Sequence, residues 1–129
     1  KATSNICTNQ GLAVTASTIH MSILGAEGLQ QVAIASHQNT NYLVDKVTAI
    51  DGVELVFQGE RFHEAVIRTP LPAKQLLAKM AQHGVLAGYD LSNDYPELDR
   101  CILLCATETK NHADLDNYAT LLTQVLNNE

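Results

Sequence analysis

Val53-Glu54-Leu55-Val56-Phe57-Gln58, turned by Gln58-Gly59-Glu60-Arg61 and followed by His63-Glu64-Ala65-Val66-Ile67-Arg68, is where the chain changes period. Val53, Leu55 and Phe57 point one way with Glu54, Val56 and Gln58 between them, the alternation of a half-buried strand. His63 to Arg68 supplies a second strand, and the short connection makes the two an antiparallel pair. Upstream, the spacing is helical. Apolar residues fall at Leu12, Ala16, Ile19, Ile23 and Leu24, three and four apart, and the helix stops at Gly25. Gly25-Ala26-Glu27-Gly28 reads as a joint with glycine supplying a left-handed cap. A longer helix follows, its inner face at Leu29, Val32, Ala33, Ser36, Thr40, Leu43, Val47 and Ile50, until Asp51-Gly52 ends it. Gln30, Gln31, Gln38, Asn41 and Asp45 form its solvated side.

Downstream, Thr69-Pro70-Leu71-Pro72 breaks the second strand, and Pro72 suits the first position of a helix that buries Leu76, Leu77 and Met80 and closes at Gly84. Val85 to Tyr89 reads as a short strand and Ser92 to Glu97 as a polar loop. Cys101-Ile102-Leu103-Leu104-Cys105-Ala106 is apolar on both faces, as expected of a central strand covered or closely flanked on each side. Asn111-x-x-Asp114 has the form of a capping box, opening a last helix that buries Leu115, Tyr118, Ala119, Leu122, Val125 and Leu126. The order is helix, helix, strand, strand, helix, strand, strand, helix. It predicts an α+β fold: a small, mainly antiparallel sheet with helices packed on one face, preceded by two helices. A single domain over 1–129 is expected, with a capping or interface segment at 1–11, two helices at 12–50 and an α+β sandwich at 51–129.

The chain has 129 residues, enough for one core but too few for a complete enzyme of the aminotransferase type. Its start at Lys1 reads as an excised or processed piece. No signal sequence or membrane-spanning apolar run is present, which favours a cytoplasmic protein. Net charge is −6, from 14 acidic and 8 scattered basic residues, and there is no Trp, so nucleic acid and anionic membranes are not expected partners. Cys7, Cys101 and Cys105 are an odd, sparse set. On a strand, Cys101 and Cys105 lie about 13 Å apart at roughly 3.3 Å per residue, beyond disulfide reach. They read as core thiols of a reducing compartment. With neither a CxxC nor an HxxxH-type spacing, no metal site is expected.

The opening segment is the least generic. Thr3, Ser4, Asn5, Thr8, Asn9 and Gln10 are neutral hydrogen-bonding residues, suited to capping a first turn and then the helix proper. Ala-Thr-Ser-Asn-Ile-Cys-Thr-Asn-Gln at 2–10 also resembles a segment of the glycine decarboxylase P-protein family, in its subunit 1 of the two-subunit bacterial form. Further similarity lies at Gly25–Gly28, Phe62–Arg68, Gly84–Gly88, Tyr95–Leu98 and Leu104–Glu108.

The resemblance implies a C-terminal domain like the small domain of enzymes with the aspartate-aminotransferase fold. It implies pyridoxal phosphate in the whole enzyme, bound mainly by subunit 2, and the lipoyl-bearing H-protein as acceptor of the aminomethyl group left after glycine loses carbon dioxide. Thr3, Ser4, Asn5, Thr8 and Asn9 would line or buttress an interface. Relatives of this fold often hold the substrate carboxylate with an arginine on the last central strand; here that strand has none, and Arg100 only borders it. Lys46, Lys74, Lys79 and Lys110 fall on solvated faces, so the fragment itself is expected to be inactive and without cofactor. It could self-associate through Leu12, Ile19 and Ile23. A Cys7–His dyad would be a thiol nucleophile and base, but no spacing brings the two together. The rival reading is a stand-alone α+β ligand-binding or dimerisation module without catalysis, which the element order fits as well.

Overall fold

The computed structural model describes residues 10–127. The elements are α1 (Gly11–Thr48), β1 (Glu54–Leu55), β2 (Glu64–Arg68), α2 (Ala73–Gln82), β3 (Tyr89–Asp90), a 3₁₀ turn (Pro96–Leu98), β4 (Cys101–Cys105) and α3 (His112–Asn127). Two compact units divide the chain between Ala33 and Ile34. Residues 1–9, and with them the capping expected of Thr3, Ser4, Asn5, Thr8 and Asn9, lie outside the described residues.

In the first unit the joint is narrower than the sequence suggested. Gly25 alone leaves helical geometry, at φ 64° and ψ −175°. That is a conformation accessible essentially to glycine, distinct from the left-handed cap expected there. Ala26 to Gly28 belong to the next turn. The Leu12, Ile19 and Ile23 stripe is solvent-exposed, Leu12 at 86%.

The second unit holds the core. All strand neighbours are antiparallel, in the order β1-β2-β4-β3. Leu55 pairs with Ile67, Ile67 with Ile102 and Ala65 with Leu104, so these share one sheet face. That face meets the helices: Ile67, Ile102, Leu76, Met80 and Leu122 are fully buried in one cluster with Val47 and Val125. Each such side chain contributes about 1.5–3 kcal/mol. The α+β architecture with its small antiparallel sheet is therefore as expected.

Several details differ. The strand expected over Val53–Gln58 is two residues long, at the edge of the sheet beside β2 among the described residues, and Phe57 ends up 59% exposed. Pro72 stands one position earlier than expected, as the N-cap of α2, with its carbonyl accepting from Leu76. At the other end of α2, Gly84 (φ 75°) closes a Schellman turn: the Val85 amide donates to Met80 O and the Gly84 amide to Ala81 O. This turn consumes Val85, so the strand expected at Val85–Tyr89 shrinks to Tyr89–Asp90. β4 is central, covered along its helix-facing side and, on the other side, only at its Cys101 end. Cys101, Ile102 and Leu104 are buried, Leu103 is half-buried and Cys105 is exposed, so Cys105 is not the core thiol expected.

The three buried polar residues of α1 answer a specific need. After β4 the backbone leaves the sheet and its carbonyls lose their ladder partners. Thr40 Oγ1 donates to Ala106 O at 3.0 Å, and Asn39 Nδ2 donates to Thr107 O at 2.9 Å and Lys110 O at 2.7 Å. Ser36 Oγ donates to Glu108 Oε2 and accepts from the Glu108 amide. The Asn111 box forms as expected, Asn111 N donating to Asp114 Oδ2 and Asp114 N to Asn111 Oδ1, both at 3.0 Å.

Candidate functional site: the open face of the sheet

Register fixes which side chains lie opposite the helices. Glu54, Arg68 and Cys101 form one row across the sheet, Val66, Leu103 and Tyr89 the next, and Glu64 with Cys105 the last. The sheet borders two recesses, the first on this face and the second reaching round to the helix side, where Leu43, Leu104 and Leu115 line it. One, of about 330 Å³, is lined by Phe57, Arg61, Phe62, His63, Val66 and Leu103, with Phe57 and Phe62 half or more exposed. The other, of about 690 Å³, is bounded by 84–89, the end of β4 and the start of α3, with Glu64, Lys110, Asp114 and Tyr118 as polar groups.

The larger recess has a fixed wall. Tyr118 Oη donates to Ala87 O at 2.7 Å, tying α3 to the segment before β3, and burial pushes its phenol far up. Gly88 stands at φ 147°, its α-carbon so close to β4 that a β-carbon there would meet Leu103 O at 2.6 Å. Tyr89 donates to Asp94 at 2.8 Å, and this bond holds its phenol above the ordinary value. Cys105 is pushed up as well, by partial burial of the sulfur and then by the Glu64 carboxylate. A neutral thiol is a poor nucleophile.

Of the candidate substrate or interface residues Thr3, Ser4, Asn5, Thr8, Asn9 and Arg100, only Arg100 lies among the described residues. It is exposed in the turn before β4, its carbonyl accepts from Thr69 N at 3.0 Å, and its guanidinium makes no ion pair among the described residues. It stands apart from both recesses. The arginines the structure does bring to the open face and its rim are Arg68, 3.8 Å from Glu54, and Arg61, whose Nε donates to Asn41 Oδ1 at 3.0 Å. Strand alternation was the available signal for Arg68: with Ala65 and Ile67 inward, Arg68 must face out. Lys46 has a defined environment. It pairs with Asp116 at 2.9 Å and lies 5.0 Å over the Tyr42 ring, which stacks on His112. Bonding to Asp116 and then Tyr42 raises its pKa, and the same contacts lower that of Asp116.

A four-stranded antiparallel sheet with helices packed on one face defines an α+β domain. The sequence matches the Glycine cleavage system P-protein family over residues 1–122, and the chain belongs to that family. This bears out the resemblance read at 2–10. It is 54% identical over 98% of its length to the probable glycine dehydrogenase (decarboxylating) subunit 1 of Methylococcus capsulatus, and 55% identical over 98% to that of Thioalkalivibrio sulfidiphilus. The corresponding Coxiella burnetii protein is 50% identical over 97%. The chain spans 28% of the length of each of these relatives. Its structure is similar, with TM-score 0.88 and 28% identity, to the crystal structure of glycine decarboxylase (P-protein) of the glycine cleavage system in inhibitor-bound form, covering 98% of this chain and 28% of that one. No helix among the described residues is long and apolar enough to cross a membrane.

Proposed function

We propose that the chain is the C-terminal domain of subunit 1 of a two-subunit glycine dehydrogenase (decarboxylating), and that it acts as a structural and interface element of that enzyme. The observation carrying this reading is the P-protein match across residues 1–122, together with relatives named as subunit 1 at 50–55% identity. The structural match to the glycine decarboxylase P-protein, which covers 98% of this chain, supports the same placement, and we read the α+β fold as the counterpart of a small domain of the aspartate-aminotransferase type. The whole enzyme decarboxylates glycine and passes the aminomethyl group to the lipoyl arm of the H-protein.

Pyridoxal phosphate supplies the electron sink for that chemistry when bound. The described residues of this chain do not fit it. A lysine that forms an imine must lose its proton, which takes a desolvated or cationic setting. Lys46 has the reverse, an anionic partner that holds it protonated, while Lys74 and Lys110 are exposed and Lys79 is half-buried on α2. We therefore assign the reactive amine to subunit 2 and derive no catalytic step from this chain. Its contribution is contact surface: the open sheet face, and in the opening segment Thr3, Ser4, Asn5, Thr8 and Asn9. Arg100, outside both recesses, is assigned to an interface rather than to substrate. In isolation the exposed Leu12, Ile19 and Ile23 favour self-association.

Co-expression of the full-length protein with a lysine-bearing subunit 2 tests the proposal. With lipoylated H-protein supplied as aminomethyl acceptor, a stable heteromer that releases carbon dioxide from carboxyl-labelled glycine, with neither subunit active alone, is expected. Independent purification of the two, with full activity in one, would overturn it.

A further inference from the structure

We propose that His63, Glu64 and Cys105 form a binding site for a zinc-class divalent transition ion on the open face of the sheet. One ligand atom from each lies within 4.8 Å of the others. Imidazole, carboxylate and thiol together are the donor set of borderline-soft ions, and are poorly matched to calcium or magnesium, which take oxygen alone.

Two further observations separate this cluster from a chance meeting of surface groups. Glu64 and Cys105 are direct cross-strand partners, so the register of β2 and β4 holds their β-carbons side by side, and the Ala106 amide donating to His63 O ties the third residue to the same strand end. In addition, Nδ1 of His63 is buried and lacks a hydrogen-bond partner, and the ring makes no hydrogen bond among the described residues. Among the described residues, no hydrogen-bond partner therefore competes with an ion for that imidazole.

Ligands around a tetrahedral zinc stand about 3.3–3.8 Å apart, so the cluster must close by about 1 Å. The exposed Glu64 and Cys105 side chains can supply this by rotation. As the metal–sulfur bond forms, the Cys105 Sγ–H bond breaks and its proton passes to solvent. Glu64 and a neutral His63 bind without losing one. One proton is thus released per ion, and the fourth position is left to water. Partial burial of the sulfur and then the Glu64 carboxylate disfavour the Cys105 thiolate, and a bound cation offsets both.

Cobalt(II), titrated into the full-length protein, is the probe. One equivalent should produce a thiolate-to-metal charge-transfer band with release of one proton, and affinity should rise about tenfold per pH unit below the thiol pKa. Cys105→Ser should abolish the band. His63→Gln and Glu64→Gln should each weaken binding at least about tenfold, with zinc displacing cobalt at the same stoichiometry. Since Cys105 and Glu64 are exposed, unchanged circular dichroism of their variants shows that the fold is intact. A band that survives in Cys105→Ser, cobalt binding without a thiolate band, or equal affinity in all the variants would overturn the site.

Discussion

Replacing Gly88 with alanine puts a methyl group where the structure has a carbonyl oxygen. The built β-carbon lies 2.6 Å from Leu103 O and 3.4 Å from Leu103 C. The closest ordinary approach of carbon to such an oxygen is about 3.3 Å, so the overlap is about 0.7 Å. Neither partner can swing aside, since Leu103 O belongs to the backbone of the central strand and Tyr89, the next residue, pairs with Leu103. A φ of 147° adds conformational strain of about 1–3 kcal/mol for a residue with a β-carbon. Relief requires β3 to move off β4, so the total should be about 3 kcal/mol, at the upper end of the ordinary range for single substitutions. Gly84→Ala is the control. Its φ of 75° is unfavourable too, but nothing lies within 4 Å of the built β-carbon, so only the conformational cost of about 1 kcal/mol applies. Urea unfolding followed by circular dichroism compares the two; with a slope near about 2 kcal/mol per molar, the Gly88 variant's midpoint should fall by about 1.5 M and the Gly84 variant's by about 0.5 M. Equal shifts would refute the argument that close backbone approach, rather than the positive φ, fixes glycine at 88.

Asn39→Ala should destabilise the protein by about 1–3 kcal/mol in the same assay, because two carbonyls, Thr107 O and Lys110 O, lose one shared buried donor. Tyr118→Phe should cost about 1 kcal/mol by removing the bond to Ala87 O, and should speed amide exchange over 85–90; unchanged exchange there would disconnect α3 from the recess wall. The Lys46–Asp116 pair sets a pH window. Asp116 has a lowered pKa in the folded protein, so its stabilisation is present above the unfolded carboxylate value and is lost as pH falls through the folded one. Lys46 is raised, so its share is present below the unfolded lysine value and is lost as pH rises through the folded one. Both groups are solvent-accessible, so the effect should be small and fade with salt, and in Asp116→Asn the Lys46 titration seen by nitrogen-detected NMR should move back toward its ordinary value.

Helices were legible here because their signal is long and redundant. The inner face of α1 from Ser36 to Val47, that of α2, and that of α3 all fall where the three-and-four spacing put them. Strand ends were not, because alternation reports which way side chains point and says nothing of whether a neighbouring strand is there to bond. Val53 to Gln58 alternates throughout, yet among the described residues β1 lies at the sheet edge beside β2 and their paired register covers two residues. Val85 to Tyr89 looked extended for the same reason, but the Val85 amide was already committed to the turn that ends α2.

The candidate site was illegible for a related reason. Spacing rules find ligands that neighbour one another along a helix or within a turn, whereas Glu64 and Cys105 become neighbours only once β2 and β4 are in register. Register in turn depends on which face is buried: a slip of one residue would turn Ile67 outward and bring Glu64 in. The apolar set Ala65, Ile67, Ile102 and Leu104, which does nothing chemically, therefore fixes that Glu64, Val66, Arg68, Leu103 and Cys105 face the other way. Helix-facing residues of this sheet determine the composition of its free face. Substitutions at Ile67 or Ile102 should accordingly disturb the chemistry of a surface they do not touch, whereas Glu64→Gln should alter that surface and leave the core intact.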